Sequence, residues 1–203
     1  MNTPDIDLYC GLMAEIEKRI AVINAFATGA VHAVYAASDI ESACLHLRKS
    51  LEIVAMASLV ANKAEFSRMY ANSAMYWRAD LLLRDLERVN PGFYPHPILE
   101  IPSTDPKFVR KWVDKETGYL TKADFVKVYK KCAAVMHARN PYGRQFDYGY
   151  YQENIPVWRD QLIGLLNSHL IRLVDDTNLY IVHMQEDQDD KVHAYTFMRQ
   201  DQP

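Results

Sequence analysis

The sequence predicts a mainly α-helical fold, a four- to five-helix bundle carrying a C-terminal β-hairpin. Three observations predict it. Apolar residues recur at three- and four-residue spacing in several long stretches before position 174. Beyond that point, 179–184 and 192–198 are rich in β-branched and aromatic residues. No internal repeat, low-complexity tract or composition shift divides the 203 residues, a length that suits one domain. The expected organisation is a single domain over 1–203. Within it lie a helical bundle over 5–174, a proline-rich crossover over 90–106 and a hairpin over 179–198.

The first helix is expected over 5–36, where Leu8, Leu12, Ile16, Ile20 and Ile23 form a stripe. The second, about 40–66, starts behind Ser38 or Asp39, either of which can cap it. Its apolar residues surround the helix, as in the central member of a bundle. Arg48 and Glu52 interrupt it four positions apart, on one face; if buried, they must be paired. A third helix, about 70–89, stops at Asn90-Pro91-Gly92. The segment Phe93-Tyr94-Pro95-His96-Pro97 suits neither a helix nor a central strand and is expected to lie extended over the bundle. A short helix from Pro106 to Val113 follows.

The most strongly patterned helix begins at Thr121, which forms a capping box with Asp124. Phe125, Val128, Tyr129, Cys132, Val135 and Met136 make its buried face. Pro141 disfavours helical geometry at Asn140, so His137, Arg139 and Asn140 are expected in the last turn, where a cation suits the helix dipole. An aromatic loop carries Tyr142, Arg144, Phe146, Tyr148, Tyr150 and Tyr151. Pro156 is expected to open the last helix, about 156–174, with Trp158, Leu162, Leu165, Leu166, His169, Leu170 and Leu173 inside. Of these, His169 reads as a satisfied core residue.

Apolar content of 49% and charged content of 24% fit a globular protein and argue against disorder. No apolar run is long enough to cross a bilayer, so no membrane association is expected. The first residues show no basic segment and no apolar signal core, which argues for a cytoplasmic protein rather than a secreted one. Cys10, Cys44 and Cys132 lie in apolar helical contexts without CxxC spacing and read as reduced core residues.

Net charge is −3, but it is unevenly spread. The stretch 107–144 holds ten Lys or Arg against three acids, while 175–191 holds six acids against one base. A basic segment of this kind attracts phosphate, although a solvated lysine face explains the same residues. Arg144, Tyr142, Tyr148, Lys127, Lys130 and Lys131 are the candidate nucleic-acid-binding residues, since rings beside cations offer a stacking surface to single-stranded bases.

Asp114 to Phe125 looks like a calcium loop but fails on count. The glycine falls fifth rather than sixth, and the closing acid is Asp124, not a bidentate Glu. The histidines have no HxxxH or HxxE spacing, so no metal site is expected. Glycine-rich phosphate loops and the hydrolase elbow are absent, and no cofactor is implied. His137, Arg139 and Asn140 remain the candidate catalytic cluster: an imidazole moves a proton and an Arg holds a phosphate and its growing charge. The alternative is structural, with His137 capping the helix, Arg139 paired to a neighbour and Asn140 starting a turn.

At these residues the chain resembles the HEPN superfamily of small helical bundles. The resemblance rests on an all-α outline over 5–174, on the long second helix reading Leu45-His46-Leu47-Arg48-Lys49-Ser50-Leu51-Glu52, and on Arg139-Asn140 between two late helices. HEPN ribonucleases follow that Arg and polar residue with a His four to six positions on. Here positions 144–146 are Arg144, Gln145 and Phe146, and His137 precedes the Arg instead. The resemblance implies an RNA-related, toxin–antitoxin or defence role and a homodimer. Two functions stay open: binding of RNA or another phosphate-bearing partner, with metal-independent ribonuclease chemistry if His137 acts, or a non-catalytic dimeric helical scaffold.

Overall fold

The computed structural model describes residues 1, 3–70, 78–107, 109–138, 142–143, 146–174, 178–185 and 189–198. Among them are six helices, α1 (Thr3–Ala27), α2 (Ala36–Ala61), α3 (Lys63–Met69), α4 (Ala79–Val89), α5 (Lys122–Val135) and α6 (Tyr148–Leu166). Five strands accompany them: β1 (His96–Pro102), β2 (Arg110–Asp114), β3 (Ser168–Ile171), β4 (Asn178–His183) and β5 (His193–Met198). The strands form one antiparallel sheet in the order β2-β1-β3-β4-β5, curled into a half-barrel. The expectation of a helical bundle with one terminal hairpin is therefore wrong. The fold is mixed α/β, and the hairpin β4–β5 is one end of a sheet whose other three strands interrupt the expected 5–174 bundle.

α2 is the axis of the helical layer. Its buried face runs from Ile40 to Ala61 and touches every other helix among the described residues. Two serines are buried within it, and each donates its hydroxyl one turn back, Ser50 to His46 O at 2.9 Å and Ser58 to Val54 O at 3.0 Å. α1 packs antiparallel along α2 through Tyr9, Met13, Ile16 and Ile23, while Leu8 of the expected stripe is exposed. The end of α2 is tied to the sheet by a buried amide pair. Asn90 Nδ2 donates to Asn62 Oδ1 and to Arg172 O, both at 2.8 Å.

β1 is an interior strand despite its prolines. Pro97 O accepts from Lys115 N at 3.0 Å and Ser103 N donates to Val109 O at 3.1 Å, so the odd positions of β1 face β2. Pro97 thus loses one donor at the very end of that ladder. Pro102 faces the other way, where β3 pairs only with positions 96 and 97 and has already ended. Neither proline breaks a run of ladder bonds, which is why the rule against proline in central strands does not apply here. The expected helix from Pro106 to Val113 is likewise replaced by β2, paired residue by residue with β1.

The last helix differs at both ends from its expected span. Asp147 caps it by accepting from Tyr150 N at 3.0 Å, so it starts at Tyr148, and Pro156 lies inside rather than at its head. It stops at Leu166, and His169 stands in β3.

Register assigns the sheet's two faces. His169, Ile171, Tyr180 and Val182 point to the helical core. On the other face Leu170, Ile181 and Tyr195 are aligned, as are Glu100 and Trp112. Ile98 and Ile181 are buried on that second face, outside the main core.

Candidate functional site

The lysine-rich helix α5 is held by its own start. Thr121 Oγ1 accepts from Asp124 N at 3.1 Å and donates to Asp124 Oδ2 at 2.7 Å. That interaction and Lys127 hold the Asp124 carboxyl below its usual range. Phe125, Val128, Tyr129, Cys132 and Val135 are buried, which leaves Lys127, Lys130 and Lys131 exposed on one face.

Several bases of the 107–144 stretch, Lys127 among them, are engaged locally. Lys122 is ion-paired with Glu87, Arg110 lies 3.7 Å from Glu100, Lys127 Nζ donates to Asp124 Oδ1 at 2.9 Å, and Lys115 Nζ donates to Gly164 O at 3.1 Å. The local positive charge is therefore smaller than the residue count implies.

The aromatic residues beyond α5 do not form the open loop expected of them. Phe146 stacks on Tyr151 with centroids 4.9 Å apart and planes at 17°, and Tyr148 leans on Phe146 at 4.9 Å. Tyr150 and Tyr151 both meet Trp158 edge-on at 6.0 Å. Tyr151 also donates its hydroxyl to Lys131 O at 3.1 Å, fastening the end of α5 to α6. Its phenol is pushed up to about 12, mainly by burial. Tyr142 is different: it is 97% exposed.

α5 ends earlier than expected, at Val135, with Met136 as its C-cap, so His137 lies beyond the helix and is exposed. Arg139, Asn140 and Arg144 lie outside the described residues. The structure thus brings Lys127, Lys130 and Lys131 together, sets Lys131 Nζ 4.7 Å from the Tyr150 ring centroid, and keeps Tyr148 half-buried close by. No group of three potential metal ligands occurs among the described residues.

A polar cluster between α2 and α5 was only half visible in sequence. Arg48 and Glu52 are paired, as their spacing suggests, with Arg48 Nε donating to Glu52 Oε1 at 3.1 Å. Tyr129, read only as a core ring, completes the cluster. Arg48 Nη2 donates to its oxygen at 2.6 Å, its hydroxyl donates to Glu52 Oε1 at 3.0 Å, and the guanidinium carbon sits 4.1 Å from its ring centroid. Below it lie Cys44 and Cys132, both buried. Hydrogen bonding to Cys44 and burial push the Cys132 thiol well up, which makes it a poor nucleophile. Cys10, by contrast, is half-buried rather than in the core.

No helix among the described residues is long and apolar enough to cross a membrane. Comparison of the chain with protein-family models, with curated proteins and with solved structures finds no match.

Proposed function

We propose that the protein binds single-stranded RNA, or another phosphate-bearing partner, along the C-terminal half of α5. The observation that carries this reading is the strip of Lys127, Lys130 and Lys131, exposed on one helix face next to the Tyr150 ring. Lysines at that spacing meet successive phosphates, and the 97%-exposed Tyr142 offers a face for a base. His137, exposed just beyond the helix, is the proton-moving group if the bound RNA is also cut.

The test is binding of a labelled single-stranded RNA across a salt series. Replacing Lys127, Lys130 and Lys131 by Gln removes up to three phosphate contacts. It should flatten the salt slope by about 0.7 per contact. A triple variant that keeps the wild-type affinity and slope would overturn the reading. Cleavage of the same RNA by wild type and His137→Ala then separates a nuclease from a binding protein.

A second reading, a non-catalytic dimeric module, draws on the second face of the sheet, where Trp112, Leu179, Tyr195 and Phe197 are all more than a third exposed. Apolar area gathered on one surface favours a protein partner. A change of native mass on Phe197→Arg would support it.

A further inference from the structure

The connection between α1 and α2 frames a cleft of about 450 Å3 against α6, a volume within the range of small-molecule sites. The connection is built for something other than economy. Thr28 donates its hydroxyl back to Asn24 O at 2.9 Å, closing α1, and Gly29 turns the chain with φ of +72°. Val34 then takes φ of +69°, a conformation that β-branched residues avoid, while its side chain is 99% exposed and gains no packing in return.

Asp39, in the first turn of α2, holds this loop in place. It accepts from Ala33 N through one oxygen and from His32 Nδ1 through the other, the latter at 2.9 Å. A carboxylate can only accept, so Nδ1 carries a proton, and in the neutral form of the ring the lone pair is at Nε2. A methyl on Gly29 would meet that ring edge at 3.6 and 3.7 Å, so the glycine leaves the edge uncovered on its cleft side.

Charge selects the ligand. Among the described residues no Lys or Arg lines the cleft, and Asp39 is the one acid there. The backbone hydrogen bond from Ala33 and the one from His32 keep that carboxyl below its usual range. Thr28 and the exposed Gln152 add acceptor oxygens at the rim, and Phe26, Ile40 and Ile155 line the rest.

We propose that this cleft binds a small organic amine. Its ammonium N–H donates to His32 Nε2, the Asp39 carboxylate balances its charge, and its apolar body lies against Phe26, Ile40 and Ile155. The ring of Phe26 also suits a cation. The site is separate from the α5 surface and stands or falls independently of RNA binding.

The test uses the full chain, with 2-phenylethylamine as probe and phenylacetate as its anionic counterpart, followed by the NMR signal of the His32 ring where that ring is present and by calorimetric titration in every variant. The amine should give a saturable shift that phenylacetate does not. His32→Ala should weaken the amine about ten-fold or more, the loss expected for a charge-assisted hydrogen bond. Gln152→Lys sits on an exposed position and leaves the pair intact; the cation it adds should weaken the amine, and Gln152→Glu should strengthen it. No saturable shift, equal binding of phenylacetate, or the same affinity in both Gln152 variants would overturn the proposal.

Discussion

Tyr9 donates its hydroxyl to His169 Nε2 at 2.8 Å, joining α1 to β3 at a point where both residues are buried. The other ring nitrogen donates to Leu166 O at 2.8 Å, so the neutral imidazole is fully satisfied and the charged one has no place. Burial accordingly lowers its pKa from 6.5 to about 4. In the unfolded chain the ring titrates near its ordinary value. Between the two values the unfolded state holds the extra proton, so the stabilisation is complete above pH 6.5, falls as pH drops, and is gone by about 4. The shift corresponds to about 3 kcal/mol. Urea midpoints at about pH 7.5 and about pH 5 should differ markedly in wild type and much less in His169→Gln. His46, lowered by burial and by Arg19, leaves a residual slope of the same sign. A variant with an undiminished pH dependence would remove His169 from this role.

Two glycines should respond to Ala in opposite directions. A Cβ on Gly164 would lie 2.0 Å from Gly118 O, in backbone that Gly118 holds at φ of +75°. Relieving that clash separates α6 from the 115–120 segment and strains the Leu120 N to Gln161 O bond of 2.8 Å. Gly164→Ala should cost about 3 kcal/mol. Gly11 stands inside α1 with nothing within 4 Å of a new methyl, and Gly11→Ala should gain about 0.5–1 kcal/mol. Thermal melts of the two variants check both signs.

Much of the helical layer could be read from the chain, because three- and four-residue spacing reports a helix wherever one face is buried. The periods around Leu47–Ala61 and Phe125–Val135 are of this kind. The sheet was hidden for a physical reason. Strand pairing is non-local, and three of its strands are short or atypical. β1 carries prolines tolerated only because of which side their missing donors face. β3 is four residues long, and His169, Leu170 and Leu173 happen to continue the helical spacing of Leu162, Leu165 and Leu166. Only tertiary pairing ends α6 where it does. In the candidate site, spacing placed the lysines on one face but carried no sign of how α5 would end. The His32–Asp39 pair, seven residues apart across a loop, left no periodic trace at all.

The Arg48–Glu52–Tyr129 cluster predicts a graded series. Tyr129→Phe keeps the ring under the guanidinium and removes two hydrogen bonds, so it should cost about 1–2 kcal/mol. Glu52→Ala leaves Arg48, with only 21% of its side chain exposed, without its carboxylate and should cost more. Replacing both charges, as Arg48→Met with Glu52→Leu, should recover much of that loss, since apolar groups of similar size need no partner. Denaturant midpoints of the three variants give the order. Equal losses for all three would mean that the charges contribute nothing through each other.

Trp112 and Phe197 provide the sharpest test of the fold. They sit on β2 and β5, the first and last strands of the sheet, yet their rings meet edge-on with centroids 5.2 Å apart. In a flat sheet those strands would be four spacings apart, about 19 Å, far beyond any contact. The contact therefore exists only because the sheet curls, and the face carrying both rings is the concave one, with Ile98 and Ile181 as its buried floor. A double-mutant cycle on Trp112→Ala and Phe197→Ala reads this directly. Rings in an edge-on pair should couple by about 0.5–1.5 kcal/mol, whereas residues at the flat-sheet distance should add independently. Both side chains are more than a third exposed, so each single variant should stay folded and the coupling is measurable. Additive losses would open the half-barrel and with it the apolar floor between its edges.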